Sequence, residues 1–257
     1  AEEIDKILSN NDFVEGWVPC LQFLRIHSEN IDSKLKFEIE TIKNKLQPKN
    51  LKQRIEVYAF APKWSKRDFG EYIEGDDIEK KFDDYVQNLG KESYLDTELL
   101  NALMPDLFSN NDHSTRRFEL GMGIAEASDN KIKDWHKLIS TYKNINETKS
   151  YEILAGYIKF ITITDNDVCE DILDEVCNDC KLEKEYFSLQ IYACETERTH
   201  ARVLKVISHT GTNLLECSKL VAGWTELYKE DEKFLEIVEA VKKRKNTEQI
   251  VTHMLCR

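Results

Sequence analysis

Four cysteines in the middle of the chain come closest to the spacing of a chemical site. Cys177 and Cys180 form a Cys-x-x-Cys pair, and Cys169 and Cys194 flank it. Zinc prefers four thiolate or imidazole ligands carried on short loops. Cys169 and Cys177 instead share the face of a predicted helix with Leu173, which favours small buried core cysteines. We therefore predict no metal site.

Other motif-like segments lack the residues that their chemistry requires. Cys194 and His200 could form a nucleophilic pair, but nothing nearby would activate the thiol. Residues 165–167 (Asp-Asn-Asp) resemble the start of a calcium loop without its Gly and distal Glu, and a helix N-cap explains them. Residues 121–126 (Gly-Met-Gly-Ile-Ala-Glu) imitate a dinucleotide fingerprint without its third Gly or a preceding strand. The G-x-x-x-x-G-K-[ST], G-x-S-x-G and H-E-x-x-H motifs are absent from the sequence. We predict no catalytic residue and no cofactor.

Charged residues provide the candidates for binding. Arg116 and Arg117 lie where a helix is predicted to begin, and positive charge there opposes the helix dipole. They are the best single candidates for a binding role, with a salt bridge to a neighbouring repeat as the alternative. Residues 165–185 hold nine acidic side chains against two lysines. This stretch is either a solvated face or a docking patch for a basic partner. The binding candidates within it are Asp171, Asp174 and Glu175.

The composition favours helices and excludes several classes of protein. The chain is 41% hydrophobic and 33% charged, with only 9 Gly and 4 Pro, which indicates helices joined by short polar loops. A net charge of −12 disfavours nucleic-acid binding, and the basic run at 242–245 is interpreted as a cationic helix end. No apolar stretch approaches the roughly 18 residues that span a bilayer, so we predict no membrane partner. Seven cysteines without framework spacing predict reduced thiols in the cytoplasm.

Helical periodicity recurs between about residues 94 and 257, interrupted by short polar breaks. Within this region we predict an apolar stripe from Leu95 to Leu107, a helix through residues 186–194, and core positions for Trp135 and Trp224. The second helices of the predicted helix pairs have similar sequences. These similar segments begin at Phe118, Tyr151, Tyr186, Leu215 and Ile250. Their starts are separated by 33, 35, 29 and 35 residues. A period of about 30–40 residues with two helices per unit is typical of a helical solenoid. Gly123 and Gly156 occupy the same repeat position, which indicates close packing between helices.

The first 90 residues are helical but less regular. Residues 55–61 alternate partly like a strand, but a lone strand cannot pair, so we predict a helix there. Residues 62–77 form the longest predicted loop, and Ile78–Leu89 form a further helix. We therefore divide the chain into an irregular helical region, 1–90, and a helical-repeat region of about four to five helix pairs, 91–257.

Two stretches resemble a known family. Residues 54–60 (Arg-Ile-Glu-Val-Tyr-Ala-Phe) precede an aromatic, acidic loop, and residues 118–129 are followed by Trp135. This text resembles the C-terminal α-helical-repeat (HEAT/TPR-like) regions of large bacterial STAND-type NTPases and related anti-phage defence proteins. The resemblance implies a fragment that senses or scaffolds, with nucleotide-binding and effector domains upstream. No functional residue of that family can be assigned to a position in this chain.

The sequence as a whole predicts an all-α protein, an α-solenoid of antiparallel helix pairs with a less regular helical N-terminal part. Stacked helix pairs produce extended surfaces, so we expect a non-catalytic module that binds a protein partner of unknown identity. One alternative is an enzyme with an unrecognised site between helices, which would require a pocket with convergent polar groups. The other is a purely structural segment that assembles through a large apolar interface.

Overall fold

The computed structural model describes residues 14–61, 78–109, 115–145, 149–209, 212–223 and 231–255. All regular structure in these ranges is helical, and none of the residues in them forms a β-strand. The predicted all-α class is confirmed. None of the described helices is both long enough and apolar enough to cross a membrane.

The described ranges contain a series of α-helices. They are α1 (Trp17–His27), α2 (Ser33–Leu46), α3 (Leu51–Ile55), α4 (Ile78–Leu95), α5 (Thr97–Leu107), α6 (Arg117–Ala127), α7 (Lys131–Asn144), α8 (Glu152–Thr164), α9 (Asn166–Asn178), α10 (Tyr186–Gln190), α11 (Glu197–Ser208), α12 (Leu214–Gly223), α13 (Asp231–Lys242) and α14 (Glu248–Leu255). A 3-10 turn (Val14–Gly16) precedes α1, and another (Glu183–Glu185) precedes α10. A π-helical turn (Glu56–Phe60) continues α3.

Polar side chains mark the starts of many of these helices. The carboxylates or amides of Asp32, Asn50, Asp96, Asn130 and Asp165 accept hydrogen bonds from first-turn N–H groups at 2.9–3.2 Å. Such a cap satisfies a donor that has no partner within the helix and contributes about 1 kcal/mol. The predicted N-cap role of the segment that begins at Asp165 is confirmed.

The chain divides into two compact units, Ala1–Ala127 and Ser128–Arg257. The division therefore lies between α6 and α7, and not at residue 90, where the sequence predicted it. Residue 90 lies inside α4, and α4 packs closely against α6. Because of this contact, the periodic segment that includes α5 and α6 belongs to the first unit.

Two glycines allow the close approach of α4 and α6. A Cβ atom built on Gly123 would lie 1.9 Å from the carbonyl oxygen of Gln87. A Cβ atom on Gly90 would lie 2.3 Å from the carbonyl oxygen of Leu120. No larger residue fits at either position unless the helices separate. The close packing predicted at Gly123 is confirmed, and Gly156, its counterpart in the repeats, is buried within α8.

The segments around α1 and the π turn enclose a small apolar core in the first unit. Its buried members are Val14, Trp17, Val18, Leu46 and Val57. The ring of Tyr58, from the π turn, packs 6.1 Å from the ring of Trp17. The helix predicted over residues 55–61 is therefore confirmed, as the end of α3 and a π turn that ends at Phe60.

The helices of the second unit contact one another in a regular order. Each of α7, α9, α11 and α13 contacts the next in that series, and so does each of α8, α10, α12 and α14. Helices that are neighbours in the chain also pack together, for example α7 with α8 and α11 with α12. The side chains of Trp135, Ile158, Phe187 and Val206 are fully or almost fully buried in this unit. The predicted core position of Trp135 is confirmed.

Two turns of the second unit use the same hydrogen bond. Thr212 Oγ1 donates to the carbonyl oxygen of Val206 in the last turn of α11, at 2.7 Å. Thr247 Oγ1 donates to the carbonyl oxygen of Val241 in the last turn of α13, at 3.1 Å. Both residues of the second pair lie 35 positions after their counterparts. The turn chemistry therefore recurs with the spacing of the predicted repeats.

Some predicted elements differ from the observed ones. Leu95 ends α4 and is 78% exposed, and Asp96 caps the start of α5. Leu95 therefore does not belong to the apolar stripe of α5. The helix predicted over 186–194 is shorter and ends at Gln190. The predicted loop at 62–77 and the predicted core residue Trp224 lie outside the described residues.

Candidate functional site

Arg116 and Arg117 lie at the start of α6, as predicted, and each exposes only 1% of its surface. The carbonyl oxygen of Arg116 accepts the N–H of Leu120 at 3.2 Å, so Arg116 directly precedes α6 and accepts a backbone hydrogen bond from its first turn. Arginine is rarely this deeply buried unless it is paired. The partners of the two guanidinium groups therefore decide what this cluster can do.

The guanidinium of Arg116 has one anionic partner. Its Nε donates to Asp83 Oδ1, on α4, at 3.1 Å, and its Cζ lies 5.3 Å from the ring centre of Phe82. The Asp83 side chain is 37% exposed, so water shares its charge. Nη2 of Arg116 is buried and has no hydrogen-bond partner in the described part of the chain. An unmade buried hydrogen bond costs about 1–3 kcal/mol, so the positive charge of Arg116 is only partly compensated.

Among the contacts of the Arg117 guanidinium are three neutral oxygens and an aromatic ring. Nη1 donates to Thr115 Oγ1 at 3.2 Å, and Nη2 donates to Ser109 Oγ at 3.0 Å and to the carbonyl oxygen of Asp106 at 3.4 Å. Its Cζ lies 4.7 Å from the ring centre of Phe60. A buried cation over a ring gains about 2 kcal/mol, which helps to hold this arginine inside the protein.

The π turn that ends at Phe60 positions the partners of both arginines. The carbonyl oxygen of Ala59 accepts the backbone N–H of Arg116 at 3.0 Å, which joins the π turn to the start of α6. The ring of Tyr58 packs edge-on against Tyr85 of α4 at 5.0 Å. Single π turns are frequent at functional sites. The π turn, α4 and the start of α6 therefore meet around the two buried guanidinium groups.

The acidic candidates Asp171, Asp174 and Glu175 lie on α9, and each pairs with a neighbouring helix. Arg198 of α11 donates to Asp171 at 3.0 Å and also to Asp174. His136 of α7 pairs with Glu175 at 2.9 Å. The side chains of Asp171 and Glu175 are still 62% and 47% exposed, so a partner can reach them. Docking of a basic partner at this acidic surface stays a prediction.

A buried network beneath this surface involves residues that the sequence analysis did not single out. Arg202 Nη2 donates to Glu170 Oε1 at 2.8 Å, and both residues expose only 3% of their surface. Arg202 also donates to Asp174 Oδ1 at 3.0 Å and to the hydroxyl of Tyr186 at 3.3 Å. Thr196 Oγ1 donates to Glu170 Oε2 at 2.6 Å. The network joins α9, α10 and α11.

A sequence signal for this network does exist. Glu170 and Asp174 are four residues apart on α9, and Arg198 and Arg202 are four residues apart on α11. Residues four apart lie on the same face of a helix, so the two acids and the two arginines form matching pairs. The pairing becomes visible only once it is known that α9 and α11 are neighbours.

The charges of this network stay in place near neutral pH. Burial opposes the ionisation of Asp174, but hydrogen bonds from Arg198 and Arg202 outweigh it and hold the pKa of this carboxyl below its ordinary value. Burial also disfavours the Arg202 cation, but its bonds to Glu170 and Tyr186 raise its pKa further above neutrality. Both carboxylate oxygens of Glu170 accept hydrogen bonds from neighbouring side chains, which ties this buried carboxylate to Thr196 and Arg202.

No family model, curated protein or solved structure matches this chain. Among the described residues, the buried charged side chains belong to two clusters, Arg116 with Arg117 in the first unit and Glu170 with Arg202 in the second. The Glu170–Arg202 network is rich in hydrogen bonds, which suits a role in fixing helix positions. Arg116 keeps an unused donor, which suits a role in binding.

The cysteines behave as core residues or as isolated surface thiols. Burial raises the pKa of Cys169 to about 11 and that of Cys217 to about 12, so both are protonated at neutral pH and poor nucleophiles. Cys177 is also buried, which confirms the predicted core role of Cys169 and Cys177, whereas Cys180 and Cys194 are exposed. In the part of the chain that the structure describes, no group of three or more His, Cys, Asp or Glu residues could hold a metal ion.

Proposed function

We propose that the chain is a non-catalytic protein-binding module, a sensor or scaffold, whose second unit is an α-solenoid of HEAT- or TPR-like helix pairs. The observation that carries the proposal is the order of helix contacts, with one series through α7, α9, α11 and α13 and another through α8, α10, α12 and α14. In a solenoid each repeat contacts its neighbours, and the stacked repeats build an extended surface. Such surfaces suit a protein partner.

Polar contacts between successive helices of the first series support this arrangement. The contacts join α7 to α9, α9 to α11, and α11 to α13: His136–Glu175, Lys143–Asp179, Arg198–Asp171 and His200–Glu236. Exposed ion pairs contribute at most about 1 kcal/mol each to stability. Their main effect is therefore to fix how one helix is aligned along the next. Their recurrence at each step is what a stack of related repeats would produce.

The acidic surface of α9 is the docking site that we propose for a basic protein. Asp171 and Glu175 are partly exposed and lie on the same helix as Asp174. A carboxylate has about four acceptor positions, so a partner's Lys or Arg can bind without displacing the intramolecular bond. The net charge of −12 further favours the approach of a basic partner.

The docking proposal is tested by identifying a partner and measuring its affinity. The tagged chain captures proteins from cells of its source organism, and a captured protein is purified and titrated by calorimetry. The substitution Asp171→Lys reverses a charge and should weaken binding by about tenfold, with a smaller dependence of affinity on salt. Glu239→Lys on α13 is the matched control, because Glu239 is 60% exposed and, like Asp171, pairs with a basic side chain.

Two results would count against this proposal. Equal losses of affinity in the Asp171 and Glu239 variants would contradict docking at α9, since only general charge would then matter. The absence of any saturable protein partner would contradict the binding module as a whole.

We also propose that the chain is part of a larger bacterial cytoplasmic protein with a nucleotide-binding domain upstream. The two stretches that carry the resemblance, 54–60 and 118–129, include the π turn and most of α6, which contact each other within one unit. The described cysteines are free, which suits a reducing compartment. The complete open reading frame tests the proposal, since a P-loop upstream would support it and a reading frame without one would refute it.

A further inference from the structure

The start of α6 concentrates positive charge inside the first unit. Arg116 and Arg117 are both buried, and the N-terminus of an eleven-residue helix adds the positive end of its dipole at the same place. Asp83 is the carboxylate that bonds Arg116, and it is partly exposed to water. Asp83 shares its charge with water, so the buried charge of Arg116 is only partly compensated and can attract a second negative charge.

The geometry of the Arg116 guanidinium shows where that charge would bind. Nε and Nη2 form one edge of a guanidinium group, and an oxyanion commonly bonds both donors of an edge at once. Asp83 uses only Nε, at 3.1 Å. Nη2 on the same edge is buried and has no hydrogen-bond partner among the described residues. The ring of Phe82 also contacts the guanidinium, with its centre 5.3 Å from Cζ.

We propose that this cluster is a binding site for a small oxyanion, a phosphate or a carboxylate, bonded by Nη2 of Arg116 and attracted by the positive end of the α6 dipole. Guanidinium groups match both kinds of oxyanion because their planar donors fit two oxygens. The site lies in the first unit, so it does not depend on the protein-binding proposal for the second unit.

The burial of the cluster determines how the anion would exchange with solvent. Both arginines are 1% exposed, so an anion enters or leaves when the first turn of α6 opens locally. A bound anion should therefore slow amide hydrogen exchange in residues 118–120 more than elsewhere in the protein. This readout separates binding at the cluster from binding at surface lysines.

The first experiment compares sodium phosphate and sodium acetate with sodium chloride at equal ionic strength and pH 7. Thermal unfolding of the whole chain is followed by calorimetry, and hydrogen exchange is measured at the same anion concentrations. We expect Tm to rise by about 3 °C when the anion is present at ten times its Kd. A shift with phosphate alone identifies a phosphate site, and a shift with acetate alone identifies a carboxylate site. No shift with either anion overturns the proposal.

Two substitutions and a control locate the effect. Arg116→Gln should abolish the Tm shift, whereas Arg54→Gln should keep it, since Arg54 is a partly exposed arginine of the same unit that pairs with Glu92. Asp83→Asn is the decisive variant if the Arg116 variant does not fold. It removes the carboxylate that competes for the same edge and should tighten anion binding by about tenfold. Unchanged or weaker binding by Asp83→Asn would overturn the proposal.

Discussion

The substitution Gly123→Ala tests the close crossing of α4 and α6. The added Cβ atom would lie 1.9 Å from the carbonyl oxygen and 2.8 Å from the carbonyl carbon of Gln87. Both atoms belong to the backbone of α4, so no side-chain rotation can relieve the contact. An ordinary contact begins near 3.4 Å, and α6 would have to move away from α4 by about 1.5 Å.

The expected loss of stability follows from two opposing effects. Overpacking a well-packed contact costs about 1–3 kcal/mol, and the rigid backbone contact here favours the upper end of that range. Alanine is about 1 kcal/mol better than glycine within a helix. The free energy of unfolding of Gly123→Ala should therefore fall by about 2 kcal/mol. Without the crossing, the same substitution would stabilise the protein.

Urea unfolding gives the change in free energy, and hydrogen exchange shows whether it is confined to α4 and α6. Gly90→Ala should also destabilise, because its Cβ would lie 2.3 Å from the carbonyl oxygen of Leu120. The double variant should lose less than the sum of the single losses, since the first separation of the helices makes room for both methyl groups. Asn101→Ala, on the exposed face of α5, is the control and should change stability by less than about 0.5 kcal/mol. A Gly123→Ala protein as stable as the wild type would refute the reasoning.

Three further predictions concern the second unit. Arg202→Met should lower the free energy of unfolding by about 3 kcal/mol in urea titrations, because it removes the nearest cation from the buried carboxylate of Glu170. Of its described partners, Glu170 would keep only the hydroxyl of Thr196 and the more distant Arg198. A loss below about 1 kcal/mol would show that the network is not structural. The pKa of Asp174 is lowered in the folded state, so its contribution to stability is complete at neutral pH and is lost as the pH falls below about 4. Unfolding measured from pH 7 to 3 should therefore show a smaller decline for Asp174→Asn than for the wild type. At pH 8, exposed Cys194 should react with a disulfide reagent well before Cys217, whose pKa is about 12, and mass spectrometry of the labelled chain would show the reverse order if this burial is wrong.

The parts of the fold that local physics determines were predictable from the sequence. The N-cap at Asp165 follows from a polar residue placed directly before an apolar periodic run, and α9 begins there. Residues 55–61 were predicted to be helical because a single strand has no pairing partner, and residues 55–60 are helical. The π form of that segment was not predictable, since it depends on contacts with residues distant in the sequence.

Features that depend on which helices become neighbours were not predictable. The boundary at residue 90 was placed where the periodicity becomes regular, but the contact of Gly90 with Gly123 joins α4 to α6 across that position. Arg116 and Arg117 were identified because their charge opposes the helix dipole. Their burial was not foreseen, since it needs rings supplied by Phe60 and Phe82 from two other elements.

The π turn at Glu56–Phe60 makes the arginine cluster sensitive to the length of the chain. A π turn bonds residue i to i+5, so it holds one residue more than the matching α-helical turn. Deleting a single residue from this turn would rotate everything after it by about 100° and withdraw it by about 1.5 Å along the helix axis. The carbonyl oxygen of Ala59 would then no longer meet the N–H of Arg116, and the ring of Phe60 would leave Arg117. Gain or loss of one codon here would therefore create or remove the cluster in one evolutionary step, with no change in the arginines themselves.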